Sequence, residues 1–204
     1  MKNIIVAFAS FLITANTFSQ TFMHGAGITL VGSTTAQGSN SDIGLGEGFT
    51  YFPRFNFIET EKLSVSVGIP LCVGISATTS YSYDPYGYGN SNDSKIGFVL
   101  NAPLIINLNF GRGATKENRK RYGYFVGAGF GYHHDNFLTA SRYDPATNRY
   151  IDSYTSNTYG PAANAGFRIG VGRRHKNIEI RLSYMKGINE SRPNIMGLAA
   201  AFNF

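Results

Sequence analysis

Apolar and polar residues alternate along most of the chain. In NIEIRLSYMKG, Ile178, Ile180, Leu182 and Tyr184 share one face of an extended segment, opposite Asn177, Glu179, Arg181 and Ser183, because successive strand side chains point to opposite sides. The same parity runs through YGYFVGAGFGYH, where Tyr122, Tyr124, Val126, Ala128, Phe130 and Tyr132 oppose Gly123, Gly127, Gly129 and Gly131. It recurs in KIGFVLNAPLIINLNF and in LSVSVGIPLCVGI. The segments FMHGAGITLVG, IGLGEGFTYFPRFNFI, PAANAGFRIGVG and NIMGLAAAFNF bring the predicted strands to eight. No segment repeats convincingly at helical spacing.

The connections alternate too. Short or charged ones (ETEK, GRGATKENRKR, RRHK) exchange with polar ones, mostly longer (STTAQGSNSD, TTSYSYDPYGYGNSND, LTASRYDPATNRYIDSYTSN, NESR). That is the pattern of an up-and-down meander with both termini on the short-turn side. Pro53, Pro70 and Pro103 fall inside predicted strands, where each removes a ladder donor, so bulges or strand ends are expected there.

Which face is buried follows from volume. The bore of an eight-stranded barrel is only just wide enough for side chains to fill, and the Phe, Tyr, Ile and Leu of eight apolar faces would overfill it. The Gly, Ala, Ser and Asn face fits. Most charge sits in the connections, as expected if one face packs inside and the other meets lipid. The strands are also long enough for the roughly 9 to 11 residues a tilted strand needs to cross a bilayer. A closed barrel satisfies every backbone donor without leaving an edge in lipid. On this reading the last strand pairs with the first, and Met196, Leu198, Ala200, Phe202 and Phe204 face lipid. Glu47 shares that face, which places it near the outer rim.

With these features the chain resembles the small eight-stranded outer-membrane β-barrels of Gram-negative bacteria, similar in plan to the transmembrane domain of outer membrane protein A. The resemblance covers the chain from residue 20 onward. It implies an all-β, eight-stranded antiparallel up-and-down transmembrane β-barrel, a monomer in outer-membrane lipid. It also implies that a terminal aromatic and an apolar residue two before it, here Phe204 and Phe202, are read by the barrel-assembly machinery. The family's usual glycine position is Ala199, and the nearest glycine is Gly197.

Composition adds export to this picture. The 204 residues include 24 Gly, 16 Phe, 13 Tyr and no Trp, with only 15% charged. MKNIIVAFASFLITANTFSQ carries one Lys, an apolar run from Ile4 to Ile13, and small residues before Gln20. It reads as a signal peptide over residues 1–19, cleaved to leave a barrel domain over 20–204 in the bacterial outer membrane. Removing Lys2 lowers the basic count from 18 to 17, against 12 acidic side chains. That excess is diffuse, and no aromatic platform accompanies it, so nucleic acid is not an expected partner. The single Cys72 excludes an intramolecular disulfide.

Candidate chemistry is sparse. Parity places Arg54, Arg168, Glu179 and Arg181 in the lumen at similar depth, as a charge cluster that either plugs the barrel or gates a narrow conduit. His133, His134 and Asp135 suggest a metal or hydrolytic site. Adjacent strand residues face opposite ways, however, so both histidines cannot hold one ion without a bulge. No motif singles out a nucleophile, so neither catalysis nor cofactor is expected; a lipid-modifying enzyme at the rim is the weaker alternative, after a narrow channel. Two long loops share Tyr-Asp-Pro and are rich in Tyr, Ser and Asn. Tyr83, Tyr86, Tyr88, Tyr143, Tyr150 and Tyr154 are candidates for contact with an extracellular ligand or host surface. The basic turns GRGATKENRKR and GRRHK either meet anionic headgroups or solubilise the opposite end.

Overall fold

The computed structural model describes residues 21–37, 40–81, 93–135, 139–144, 149–154, 157–172, 176–189 and 192–204. The expected signal peptide, residues 1–19, lies outside them. The fold is all-β. The strands are β1 (Thr21–Gln37), β2 (Asn40–Glu59), β3 (Leu63–Gly68), β4 (Leu71–Tyr81), β5 (Asp93–Asn101), β6 (Leu104–Gly111), β7 (Tyr122–Asp135), β8 (Thr139–Asp144), β9 (Arg149–Tyr154), β10 (Asn157–Gly170), β11 (Asn177–Lys186) and β12 (Asn194–Asn203).

Ten of these strands form a ring of eight antiparallel staves. β3 and β4 are halves of one stave, and β5 and β6 halves of the next; β1 pairs with both β2 and β12, which closes the circle. β8 and β9 make a separate two-stranded hairpin between β7 and β10.

Each interrupted stave breaks at a proline, Pro70 or Pro103. The expected bulges are not there. Pairs Gly68↔Ile105 and Cys72↔Asn101 flank the break in one continuous register, so Pro70 stands opposite Pro103. Ile69 donates to the Pro53 carbonyl on β2, and Ala102 exchanges bonds with Tyr132 on β7. By alternation, the nitrogens of Pro70 and Pro103 face each other, and neither carries a hydrogen. One rung is lost without a shift of register. Pro53 likewise sits within β2 without a shift, and the register shift of β2 lies lower, between Asn56 and Ile58.

Two connections read as loops contain strand. STTAQGSNSD continues the first hairpin, whose pairing persists to Gln37↔Asn40. LTASRYDPATNRYIDSYTSN contains β8 and β9. Neither sequence carries an apolar alternation that would mark it as extended.

Following partners around the ring, Val65 leads through Leu108, Val126, Ala165, Leu182, Leu198, Leu30 and Glu47 to Ile75. The walk returns to its starting stave ten residues further on. With ordinary strand spacings this stagger tilts the staves by roughly 40° and gives a backbone radius of roughly 8 Å.

The wall is apolar outside and polar inside. Ile96 is 82% exposed, Leu45 68% and Ile28 67%, while Arg168, Glu179, Asn109, Asn56 and Ser64 are buried. Glu47 is exposed on the outer face, twelve residues up β2 from Glu59. That is roughly 30 Å above the lower end at this tilt, near the upper edge of an apolar band of about 25 Å.

Candidate functional site: a buried arginine–glutamate cluster

The lower third of the interior is built from inward positions of seven staves. Arg168 and Glu179 are direct cross-strand partners on β10 and β11. Arg168 Nε donates to Glu179 Oε2 at 2.6 Å, and each side chain is 1% exposed. Arg181, two residues up β11, donates from Nε and Nη2 to Glu179 Oε1 at 3.0 and 2.6 Å. Asn203 of β12 donates to Glu179 Oε2 at 3.1 Å. One carboxylate thus serves two guanidiniums and an amide.

Arg54 of β2 bonds to no carboxylate among the described residues. It donates to Asn109 Oδ1 at 3.1 Å and to the Gly113 carbonyl at 2.6 Å. Asn109 Oδ1 also accepts from Arg168 at 3.0 Å, while its amide nitrogen donates to Ser66 Oγ at 2.9 Å. Two aromatics face inward among these charges. Arg181 lies 4.2 Å from the Phe52 ring centroid, and Arg168 lies 4.4 Å from that of Phe125. These are close cation–π distances, and a planar guanidinium suits them.

The floor of the cluster is the connection between β6 and β7. Arg112, Ala114, Thr115 and Asn118 are buried. The Gly113 and Ala114 carbonyls accept from Arg54 and Asn56, and Arg112 Nη2 donates to the Lys176 carbonyl at 2.9 Å. The first half of GRGATKENRKR is therefore neither a headgroup-binding nor a solubilising turn. It folds under the barrel, and Lys116, Glu117, Arg119, Lys120 and Arg121 carry the exposed charge. Gly113 has φ +72°, and a Cβ there would stand 2.9 Å from Arg168 Cδ, so glycine suits both the turn and the close approach. In GRRHK, residues 173–175 lie outside the described residues.

Above the cluster lies a cavity of about 30 Å³, lined by Thr50, Phe52, Asn164, Arg181 and Ser183 among others. That is room for one or two waters. Toward the upper end, Ser76 Oγ donates to Asp135 Oδ1 at 2.9 Å, and His133 Nε2 stands 4.0 Å from Asp135 Oδ2. His134 faces the other way, with Nδ1 2.8 Å from Asn157 Oδ1. Among the described residues no group of three or more His, Cys, Asp or Glu could hold a metal ion.

Phe202 and Phe204 lie on the outer surface with stacked rings, and Phe204 packs on His24 with ring centroids 4.5 Å apart. Tyr83, Tyr86 and Tyr88 lie outside the described residues. Tyr143 belongs to β8, and Tyr150 and Tyr154 to β9, where Tyr143 pairs with Tyr150.

Sequence reasoning missed Phe52, Asn56 and Phe125. Phe52 and Asn56 share the inward parity of Arg54, and Phe125 that of Gly123, so parity alone could have found them; Asn109 was placed on the inward face of its strand, but its part in the cluster was not foreseen. Nothing in the sequence marks the Gly113 and Ala114 carbonyls as acceptors.

No family model and no curated protein matches this chain. Among solved structures it is similar to the attachment invasion locus protein Ail of Yersinia pestis, at 11% identity and TM-score 0.48, over 92% of this chain and 99% of that one. It is also similar to the outer membrane protein OprG of Pseudomonas aeruginosa, at 10% identity and TM-score 0.47, over 92% and 96%. For Neisserial surface protein A the figures are 10% and 0.45, over 91% and 97%.

Proposed function

We propose that this chain is an exported outer-membrane β-barrel with a structural or surface-interaction role, its interior occluded by the arginine–glutamate cluster. The observation that carries the reading is the direction of the wall: every stave turns apolar side chains outward, and the buried charge, carried by β2, β7, β10 and β11, points inward. In water that arrangement would expose a continuous apolar belt far larger than monomeric soluble proteins tolerate. In a bilayer it is the stable one, since the closed ladder leaves no unpaired sheet edge in the hydrocarbon.

The remaining parts follow from this reading. Residues 1–19 serve as the export signal, Phe202 and Phe204 are presented to the assembly machinery, and the outer tyrosines, including Tyr143, Tyr150 and Tyr154, offer a contact surface. The barrel is a monomer without catalysis or cofactor. The refolded chain from Gln20 should migrate faster on a gel before boiling than after, as compact barrels do. It should give no stable openings in planar bilayers. Discrete openings would replace the plug by a narrow channel gated at Glu179.

A further inference from the structure

The interior charges do not balance. Arg54, Arg168 and Arg181 are buried around Glu179. Arg112 is buried below them, and Asp135, the other buried carboxylate among the described residues, lies ten residues up β7 from Phe125. Glu59, half-buried at the lower rim, accepts from Asn56. Three guanidiniums and one carboxylate leave an uncompensated charge of two. Backbone and amide oxygens offset this only in part, and uncompensated buried charge is costly.

The cavity above the cluster supplies a place for the missing charge. Arg181 lines it from below and Asn164 from the side. Asn164 is 5% exposed and neither its amide nitrogen nor its oxygen has a protein partner. It pairs across the ladder with Ser183, and Arg181 pairs with Gly166, so Asn164 and Arg181 are inward-facing diagonal neighbours. Thr50 and Ser183 add hydroxyls to the same lining. We propose that this cavity is a binding site for one small monatomic anion of the halide class, held by the Arg181 guanidinium and the Asn164 amide N–H. A volume of about 30 Å³ excludes phosphate and carboxylate metabolites and matches an ion the size of one or two waters.

The test is anomalous diffraction from crystals of the refolded barrel grown with bromide in place of chloride. A bromide peak between Arg181 and Asn164 is expected. Water alone in that cavity, or bromide confined to the outer surface, would overturn the site. In parallel, the heat-modification midpoint is compared in bromide and in gluconate at equal ionic strength. The folded protein should melt higher in bromide, and Asn164→Leu, which removes the N–H while filling a similar volume, should lose that difference. A difference of the same size in the folded Asn164→Leu variant would count against the proposal. If that variant does not fold, the bromide map of the unaltered chain decides alone. Gel migration reports separately on the barrel, so failure of the anion site leaves the outer-membrane reading intact.

Discussion

Glu179 is the residue on which the interior depends most. Its two oxygens accept from Arg168, Arg181 and Asn203, so Glu179→Ala leaves two buried guanidiniums without their carboxylate. Breaking a buried pair from one side costs about 3–5 kcal/mol; a urea titration in micelles should show at least that loss. Gly113→Ala should cost about 1–2 kcal/mol, because φ there is +72° and side chains resist that conformation; it should also loosen Arg168, whose Cδ the new methyl would meet. The two residues differ in how they could be found. Glu179 is conspicuous in sequence as an acid on the small-residue face of a strand. Gly113 sits in a basic turn that looks solvated, and its role becomes visible only when the turn is seen folded beneath Arg54.

Among the elements, the eight staves were legible because an apolar outer face and a narrow polar bore impose strict alternation. Inward and outward parity survives even across Pro70 and Pro103. The sequences of the upper β1–β2 hairpin and of β8 and β9 carry no such alternation, so nothing in them marks a strand. The prolines were visible, but their pairing was not: a bulge and a missing rung look alike until the register is known. Restoring the rung is a direct check. In the double variant Pro70→Ala/Pro103→Ala, the new amides should face the opposite carbonyls and exchange with solvent as slowly as their ladder neighbours. Fast exchange at both would mean that the two prolines do not face each other.

For the whole molecule, the inverted wall predicts a depth-dependent response to charge. Leu182, 62% exposed and five residues above the lower end of β11, lies near the middle of the apolar band. Leu182→Lys should cost about 2–4 kcal/mol, whereas Ile96→Lys, close to the upper ends of the staves, should cost at most about 1 kcal/mol. Equal effects measured by refolding into vesicles would argue against a bilayer around this belt. The ten-residue stagger has a mechanical consequence. Strand number and stagger together set the circumference, and changing either requires every ladder to slip together. Such a tube is nearly inextensible in girth, so stretching the surrounding membrane should thin the lipid without dilating the bore. Suction applied to a patch holding the barrel should leave the current trace flat up to the tension at which the bilayer itself ruptures.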